Sequence, residues 1–295
     1  MPVTESILVV DELWKSYPRG RRPFWRKRTA DADDGDFHAL AGVSLKLAAG
    51  SCLGVVGESG SGKSTLVRML AGLSTPSRGL ISLRGQPLQL KGQQRGRVQM
   101  VFQDPTESLN PSFRVQQTIR EPLQRLRGFQ PGPALEARIE QLCDLVQLPR
   151  TLIDRYPHQL SGGQRARVGI ARALAPEPDV LLLDEPTTAL DVSVQARILL
   201  LLADLRTRLG TSFVFVTHDL GVVRLLCDRV LVMKEGRIVE EGETAAVMQQ
   251  PAHPYTRALV DALPRLPHAK SDEDPASEAR DADAREAAKP DEEVA

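Results

Sequence analysis

A glycine-rich stretch, GESGSGKST at residues 57–65, combines residue types that suit phosphate binding. Glycines let the backbone curl so that its amides point inward at phosphate oxygens, while Lys63 supplies a positive charge and Ser64 a hydroxyl for Mg²⁺. The apolar segment SCLGVV precedes this phosphate loop, and TLVRMLAGL follows with helical spacing, so a helix dipole from about Thr65 would strengthen phosphate binding. The predicted phosphate-binding residues are Gly57, Glu58, Ser59, Gly60, Ser61, Gly62, Lys63, Ser64 and Thr65.

Two adjacent carboxylates end another apolar segment, VLLLDEP at residues 180–186. A strand that is buried throughout would end in apolar residues, whereas ligands of open α/β sheets bind at the carboxyl ends of strands. We therefore expect Asp184 to hold Mg²⁺ and Glu185 to polarise the water that attacks the γ-phosphate. The alternative role for this pair is to cap the helix that follows the strand.

Gln103 and His218 each follow an apolar segment, VQMVF and SFVFVTH respectively. If both segments are strands of the same sheet, the two side chains arrive at the edge that carries Glu185. We expect Gln103 to reach the metal and the water, and His218 to orient the γ-phosphate with the water. A lone histidine after a strand is more often structural, and only the order of these motifs along the chain favours the catalytic role.

A second Gly-Gly turn, in LSGGQRAR at residues 160–167, also opens onto a helical pattern. One nucleotide does not need two such turns. The stretch is therefore either an ordinary helix start or a site for a nucleotide that another chain holds.

The elements that must position these residues alternate between strands and helices, which predicts an α/β fold with a parallel sheet. Residues 104–175 are mainly amphipathic and helical in pattern, and RVLVMKEGRIVEEG predicts a hairpin around Glu235 and Gly236. A basic run at 19–28 reads as part of a solvated loop, with a membrane or partner contact as the alternative. The acidic segment 268–295 is too polar to offset its ordering entropy, which predicts a disordered tail.

The composition of the chain limits which classes of function are expected. The 38 basic and 38 acidic residues give a formal net charge of zero, so nucleic acid is not an expected partner. The three cysteines lack metal-ligand spacing, and the longest apolar runs fall short of the ~20 residues that a membrane-spanning helix needs. Any membrane role is therefore expected to be peripheral.

The motifs WKSYP, GESGSGKST, VFQDP, LSGGQ, VLLLDEP, TALD and THD occur in the order found in ABC transporter ATP-binding subunits, and residues 5–267 resemble that family. The resemblance implies a P-loop α/β core within an ATPase domain at 1–267. It also implies an antiparallel β subdomain and a helical subdomain at about 104–175 that carries the signature motif. The cofactors it implies are ATP and Mg²⁺.

In this family two ATP-binding subunits pair head to tail, and each signature motif contacts the nucleotide held by the other subunit. The resemblance therefore implies that the signature loop, residues 160–164, acts on the partner's ATP. Asp191 would couple the two sites, and Tyr17 would stack on adenine, with Phe37 as the weaker candidate. The residues implied to act in trans are Ser161, Gly162, Gly163 and Gln164.

The stretch PAHPYTRALVDALP, within a C-terminal segment at about 251–267, resembles the dipeptide/oligopeptide and nickel importer branch. This implies two permease subunits, a second ATP-binding subunit and an extracytoplasmic solute-binding protein, with the chain at the cytoplasmic face of the plasma membrane. A helical segment at about 104–125 would receive the permease. Because no cysteine follows Cys227, no iron–sulfur cluster is expected. A nickel or opine importer, or a non-transport ABC ATPase, remains the alternative.

Overall fold

The computed structural model describes residues 6–18, 37–89, 94, 96–104 and 108–263. Its strands are β1 (Ser6–Tyr17), β2 (Phe37–Ala48), β3 (Cys52–Val56), β4 (Arg78–Leu83), β5 (Gln86–Pro87), β6 (Val98–Val101), β7 (Val180–Asp184), β8 (Ser212–Val216), β9 (Arg229–Lys234) and β10 (Arg237–Glu243). Its helices are α1 (Lys63–Leu70), α2 (Val115–Arg127), α3 (Pro133–Leu145), α4 (Gly162–Leu174), α5 (Val192–Leu209), α6 (Leu220–Leu226), α7 (Thr244–Gln249) and α8 (Pro254–Asp261).

A six-stranded sheet in the order β10-β9-β3-β8-β7-β6 forms the centre of the fold. The strands from β9 to β6 run parallel, and only β10 pairs antiparallel at the edge. β3, β7 and β8 are buried along their whole length, as expected for parallel strands covered on both faces. Because parallel strands end at one edge, the residues after β3, β6, β7 and β8 converge there.

A four-stranded antiparallel sheet in the order β2-β1-β4-β5 packs on the other side of α1. Leu13 of β1, Leu45 of β2, Leu66 of α1 and Val214 of β8 belong to one buried apolar cluster, so α1 is enclosed between the two sheets. This arrangement confirms the predicted α/β core with an antiparallel β subdomain. The strands β4 and β5 were not predicted from the sequence.

The helical part of the fold contains α2, α3 and α4, which pack against one another. Within the predicted helical segment at about 104–125, α2 begins at Val115, and a turn precedes it. Pro111 disfavours a helical conformation at Asn110, and the Asn110 side chain accepts a hydrogen bond from the Ser112 amide at 3.0 Å, which stabilises a turn. Residues 105–107 lie outside the described part of the chain.

The predicted hairpin at the end of the central sheet is confirmed. Glu235 and Gly236 join β9 to β10 with φ of 50° and 76°, the geometry of a two-residue turn whose twist matches the strands. α7 follows the hairpin, and α8 comes after α7. The predicted domain end at 267, the 268–295 tail and the basic 19–28 run all lie outside the described residues. Among the helices that are described, none has the length and apolar character needed to span a membrane.

Candidate active site

The phosphate loop joins β3 to α1 and follows the edge of the central sheet. A Cβ atom at Gly57 would lie 2.2 Å from the Met233 carbonyl oxygen, and one at Gly62 would lie 2.6 Å from the Ala39 carbonyl oxygen. Both glycines also have positive φ, of 153° and 104°, so the loop can adopt this path only with glycine there. α1 begins at Lys63, two residues earlier than the sequence pattern indicated.

Lys63 is buried beneath the phosphate loop. Its Nζ donates to the Gly57 carbonyl at 2.7 Å and to the Glu58 carbonyl at 2.8 Å, with the Ser61 hydroxyl at 3.4 Å. Burial lowers the pKa of the Lys63 ammonium, and the nearby carboxylates of Glu185 and Asp184 act in the opposite direction. The loop therefore holds a desolvated cation next to the amides that face its hollow.

Asp184 ends β7 directly opposite the start of α1. Its Oδ1 accepts a hydrogen bond from the Ser64 hydroxyl at 3.3 Å. Burial raises the pKa of the Asp184 carboxyl, and the Ser64 hydroxyl acts in the opposite direction. A buried carboxylate and a hydroxyl side by side are hard oxygen donors of the kind that Mg²⁺ prefers.

Glu185 adopts a strained backbone conformation with φ of 45°. Its amide donates to the Val216 carbonyl at 3.0 Å, which fixes the residue beside the end of β8. Its Oε2 accepts a hydrogen bond from the Thr188 hydroxyl at 3.0 Å and lies 3.5 Å from both Gln103 Nε2 and His218 Nδ1. The turn therefore brings one carboxylate oxygen to the meeting point of three strand ends.

These groups surround a cavity of about 440 Å³, a volume in the range of small-molecule sites. Both backbone and side chains of the phosphate loop contribute to it, together with Gln103, Glu185 and His218. The lining residues are Phe37, Ala39, Ser59, Gly60, Gly62, Lys63, Ser64, Thr65, Gln103, Glu185 and His218. The sequence-predicted catalytic residues thus meet the sequence-predicted phosphate loop around one hollow.

The signature loop lies elsewhere. Ser161 caps α4: its hydroxyl accepts from the Gln164 amide at 3.3 Å, and the Gln164 side chain accepts from the Ser161 amide at 2.9 Å. A Cβ at Gly163 would lie 2.6 Å from Val194 Cγ1, so the start of α4 packs closely on α5. Among the described residues that line the cavity, none comes from 161–164.

Asp191 caps the neighbouring helix α5. Its Oδ1 accepts hydrogen bonds from the Val194 amide at 3.0 Å and the Ser193 hydroxyl at 2.9 Å. These bonds lower the pKa of the Asp191 carboxyl. Asp191 is likewise not one of the described residues around the cavity, so the predicted trans-acting residues form a group of their own on adjoining helix starts.

Comparison with known proteins agrees with this geometry. Residues 40–188 match the family model described as ABC transporter. A putative peptide import ATP-binding protein of Brucella abortus is 45% identical over 267 residues, which cover 88% of this chain and 78% of that protein. The chain belongs to the ABC transporter family.

Other relatives of this ABC ATPase support the same family assignment. Residues 239–289 match the model described as the C-terminal region of oligopeptide/dipeptide transporters. The dipeptide transport ATP-binding protein DppF of Escherichia coli is 43% identical over 267 residues, covering 89% of this chain and 78% of that protein. A solved ATP-binding cassette, a dimer in a post-hydrolysis state bound to ADP and Pi, matches with a TM-score of 0.68 and 29% identity, covering 80% of this chain and 98% of that one.

Two aromatic residues of this ABC ATPase are the predicted candidates for stacking on adenine. Tyr17 and Phe37 face each other across the β1–β2 pair and are about equally exposed, at 44% and 45%. Phe37 lines the cavity, whereas the Tyr17 ring lies beneath Lys15 Nζ, 5.4 Å from its centroid, and is not a lining residue. The position of Phe37 therefore favours it, and stacking by Tyr17 stays a prediction.

Thr188 is a residue that the sequence did not single out. Its hydroxyl makes the shortest hydrogen bond to the Glu185 carboxylate. The signals were its place at the start of the TALD motif and three residues after Glu185, where the turn beyond β7 folds back on itself. Thr188 holds the orientation of the carboxylate.

Proposed function

We propose that this ABC ATPase hydrolyses ATP to drive uptake of di- or oligopeptides through partner permease subunits. Its membership of the family supports the ATPase activity, and its C-terminal match supports the peptide branch. The observation that carries the catalytic part is the Glu185 carboxylate, held by Thr188 at the end of a hollow formed by the phosphate loop.

In this proposal the phosphate loop binds the ATP phosphates. Backbone amides from Ser59 to Thr65 would donate to phosphate oxygens, and Lys63 would turn its ammonium from the loop carbonyls to the β- and γ-phosphates. Ser64, Asp184 and Gln103 offer the oxygen donors that would hold Mg²⁺. When bound, that ion would neutralise charge on the phosphate oxygens.

The same geometry supports a role for Glu185 in proton transfer. Its carboxylate would accept a proton from the attacking water, with Thr188 fixing its orientation. His218 and Gln103 flank the same oxygen and would position the water and the γ-phosphate.

The signature loop would act on the nucleotide of a second ABC ATPase subunit. Ser161 is exposed at the N-terminus of α4, a helix end that attracts anions, while Gly162 is half-buried and Gly163 is buried. Asp191 lies at the start of the adjoining helix and would couple the two sites across the interface between the subunits. The dimeric form of the solved cassette supports this arrangement.

The permease partners would contact a second hollow of about 670 Å³ beside the first. Phe102, Gln103, Ser108 and Thr188 are among the residues around it, and Phe102 is 38% exposed. Gln103 also lines the nucleotide cavity, so the same residue would respond to the nucleotide and to the permease. In this proposal the chain works at the cytoplasmic face of the plasma membrane, with two permease subunits and, indirectly, an extracytoplasmic solute-binding protein.

An affinity pull-down of the tagged full chain from gently solubilised membranes tests this proposal. We expect two multi-spanning proteins, with a second ABC ATPase if the motor is heterodimeric. Phe102→Asp should lose the permeases, whereas Leu80→Asp, which changes an exposed leucine on β4, should retain them. Recovery of ribosomes or nucleic acid in place of membrane proteins would overturn the transport function, and uptake of labelled peptide, nickel or opine would identify the solute.

A further inference from the structure

The C-terminal helix α8 touches the phosphate loop through one hydrogen bond. The Glu58 amide donates to the Tyr255 hydroxyl at 2.9 Å, across 197 positions of sequence. Tyr255 lies in the HPYTRAL stretch, which the proposed chemistry does not use. Burial raises the pKa of the Tyr255 hydroxyl, so that the group stays neutral and its oxygen accepts.

The peptide group that Tyr255 contacts is also the one that Lys63 contacts. The Gly57 carbonyl, on the other side of the same peptide bond, accepts from Lys63 Nζ at 2.7 Å. The peptide unit is therefore held at both ends, by the Tyr255 hydroxyl and by the Lys63 ammonium. Hydrogen bonds in such a chain polarise one another, so the tyrosine strengthens the lysine contact as well as fixing the peptide plane.

Tyr255 is itself held firmly in place. The Lys234 ammonium lies 5.1 Å from the centroid of its ring, at the end of β9. The Glu240 carboxylate of β10 accepts from the amides of Ala252 and His253 at 2.8 and 2.9 Å, which anchors the turn before α8. The hydroxyl is thus fixed relative to the sheet edge from which the phosphate loop starts.

We infer that Tyr255 is a positioning residue for ATP binding, which presets the Gly57–Glu58 peptide and the Lys63 ammonium for the nucleotide phosphates. A loop that is already held in one conformation loses less entropy when the ligand binds. The C-terminal segment therefore contributes to nucleotide affinity from outside the cavity. This inference rests on the ATP site proposed above.

The test compares ATP affinity by isothermal titration calorimetry in the full chain, in Tyr255→Phe and in Lys63→Ala, with Mg²⁺ present. Tyr255→Phe removes only the hydroxyl, and we expect ATP to bind about fivefold more weakly, the effect of one net hydrogen bond. Hydrogen exchange of the peptide covering 57–62 should quicken, and KM for ATP should rise while kcat stays unchanged.

Arg257→Ala is the matched control, because this side chain on the same helix bonds to the Pro251 carbonyl at 3.2 Å and not to the phosphate loop. It should keep the ATP affinity of the unchanged chain. If Tyr255→Phe binds ATP as tightly as the unchanged chain, or if Arg257→Ala weakens binding equally, the positioning role is wrong. If Lys63→Ala retains full affinity, the proposed ATP site itself is wrong.

Discussion

The phosphate loop and the signature loop both place a glycine-rich turn before a helix, yet the two turns differ in what satisfies the helix start. Among the described residues no side chain caps α1, which leaves its first amides available to a ligand. α4 is capped by Ser161, and its start lines no part of the nucleotide cavity. In the proposed assembly, the first turn would hold the chain's own nucleotide, and the second would contact the nucleotide that a partner holds.

Glu185→Gln offers the largest expected effect on this comparison, because it removes the proposed general base beside the chain's own phosphate loop. Loss of the carboxylate should lower ATP turnover by about 10²–10⁴-fold and leave ATP affinity unchanged. Phosphate release measures the turnover, and gel filtration with ATP should show a trapped dimer. Thr188→Val, which keeps the carboxylate, should lower ATP turnover far less. Normal turnover in Glu185→Gln would assign the proton transfer to another group.

Lys63→Ala tests whether one chain alone holds the nucleotide. Removal of a desolvated cation should weaken ATP binding by about 10³-fold in the isolated chain. Equilibrium dialysis with labelled ATP measures this directly. Lys46→Ala, which changes an exposed lysine on β2, should bind normally. Equal losses in both variants would indicate a general effect of charge.

Ser161→Arg tests the other half of the comparison. The isolated chain should bind ATP as before, whereas turnover of the assembled pair should fall by about 10²-fold, the effect of losing a positioned donor. Thr207→Arg adds the same charge at an exposed position on α5 and should turn over normally. Weaker ATP binding by the isolated Ser161→Arg chain would mean that the signature loop serves its own nucleotide.

The smallest expected effect separates the capping role of Ser161 from its proposed role across the interface. Ser161→Ala and Asp191→Ala each remove a helix cap and should each lower the free energy of unfolding by about 1 kcal/mol. Urea unfolding of the isolated chain measures both. A loss of several kcal/mol in either variant would show that these turns support more of the fold than their own helix.

The features predicted best from the sequence are those that depend on neighbouring residues. The phosphate loop follows from a strand, glycines and a helix within about twenty residues, and the pair at 184–185 stands out against its apolar strand. The turn that Pro111 and Asn110 form before α2 is also local, since it depends on neighbouring residues.

What the sequence could not predict depends on distant pairs. The contact of Tyr255 with Glu58 joins residues 197 positions apart. The position of Phe37 in the cavity, in place of Tyr17, depends on which of two paired strand ends turns towards the hollow. Neither relation leaves a local pattern of spacing or charge.

The close packing of Gly163 on Val194 has a consequence for how two such chains would share work. Because Gly163 and Val194 are in close contact, a shift of the start of α4 with Ser161 would also move the start of α5 with Asp191. A nucleotide that draws Ser161 across an interface would then carry Asp191 with it towards the opposite site. Binding of ATP at one site would then affect the other site. Turnover by the assembled pair would rise with ATP concentration along a sigmoidal curve.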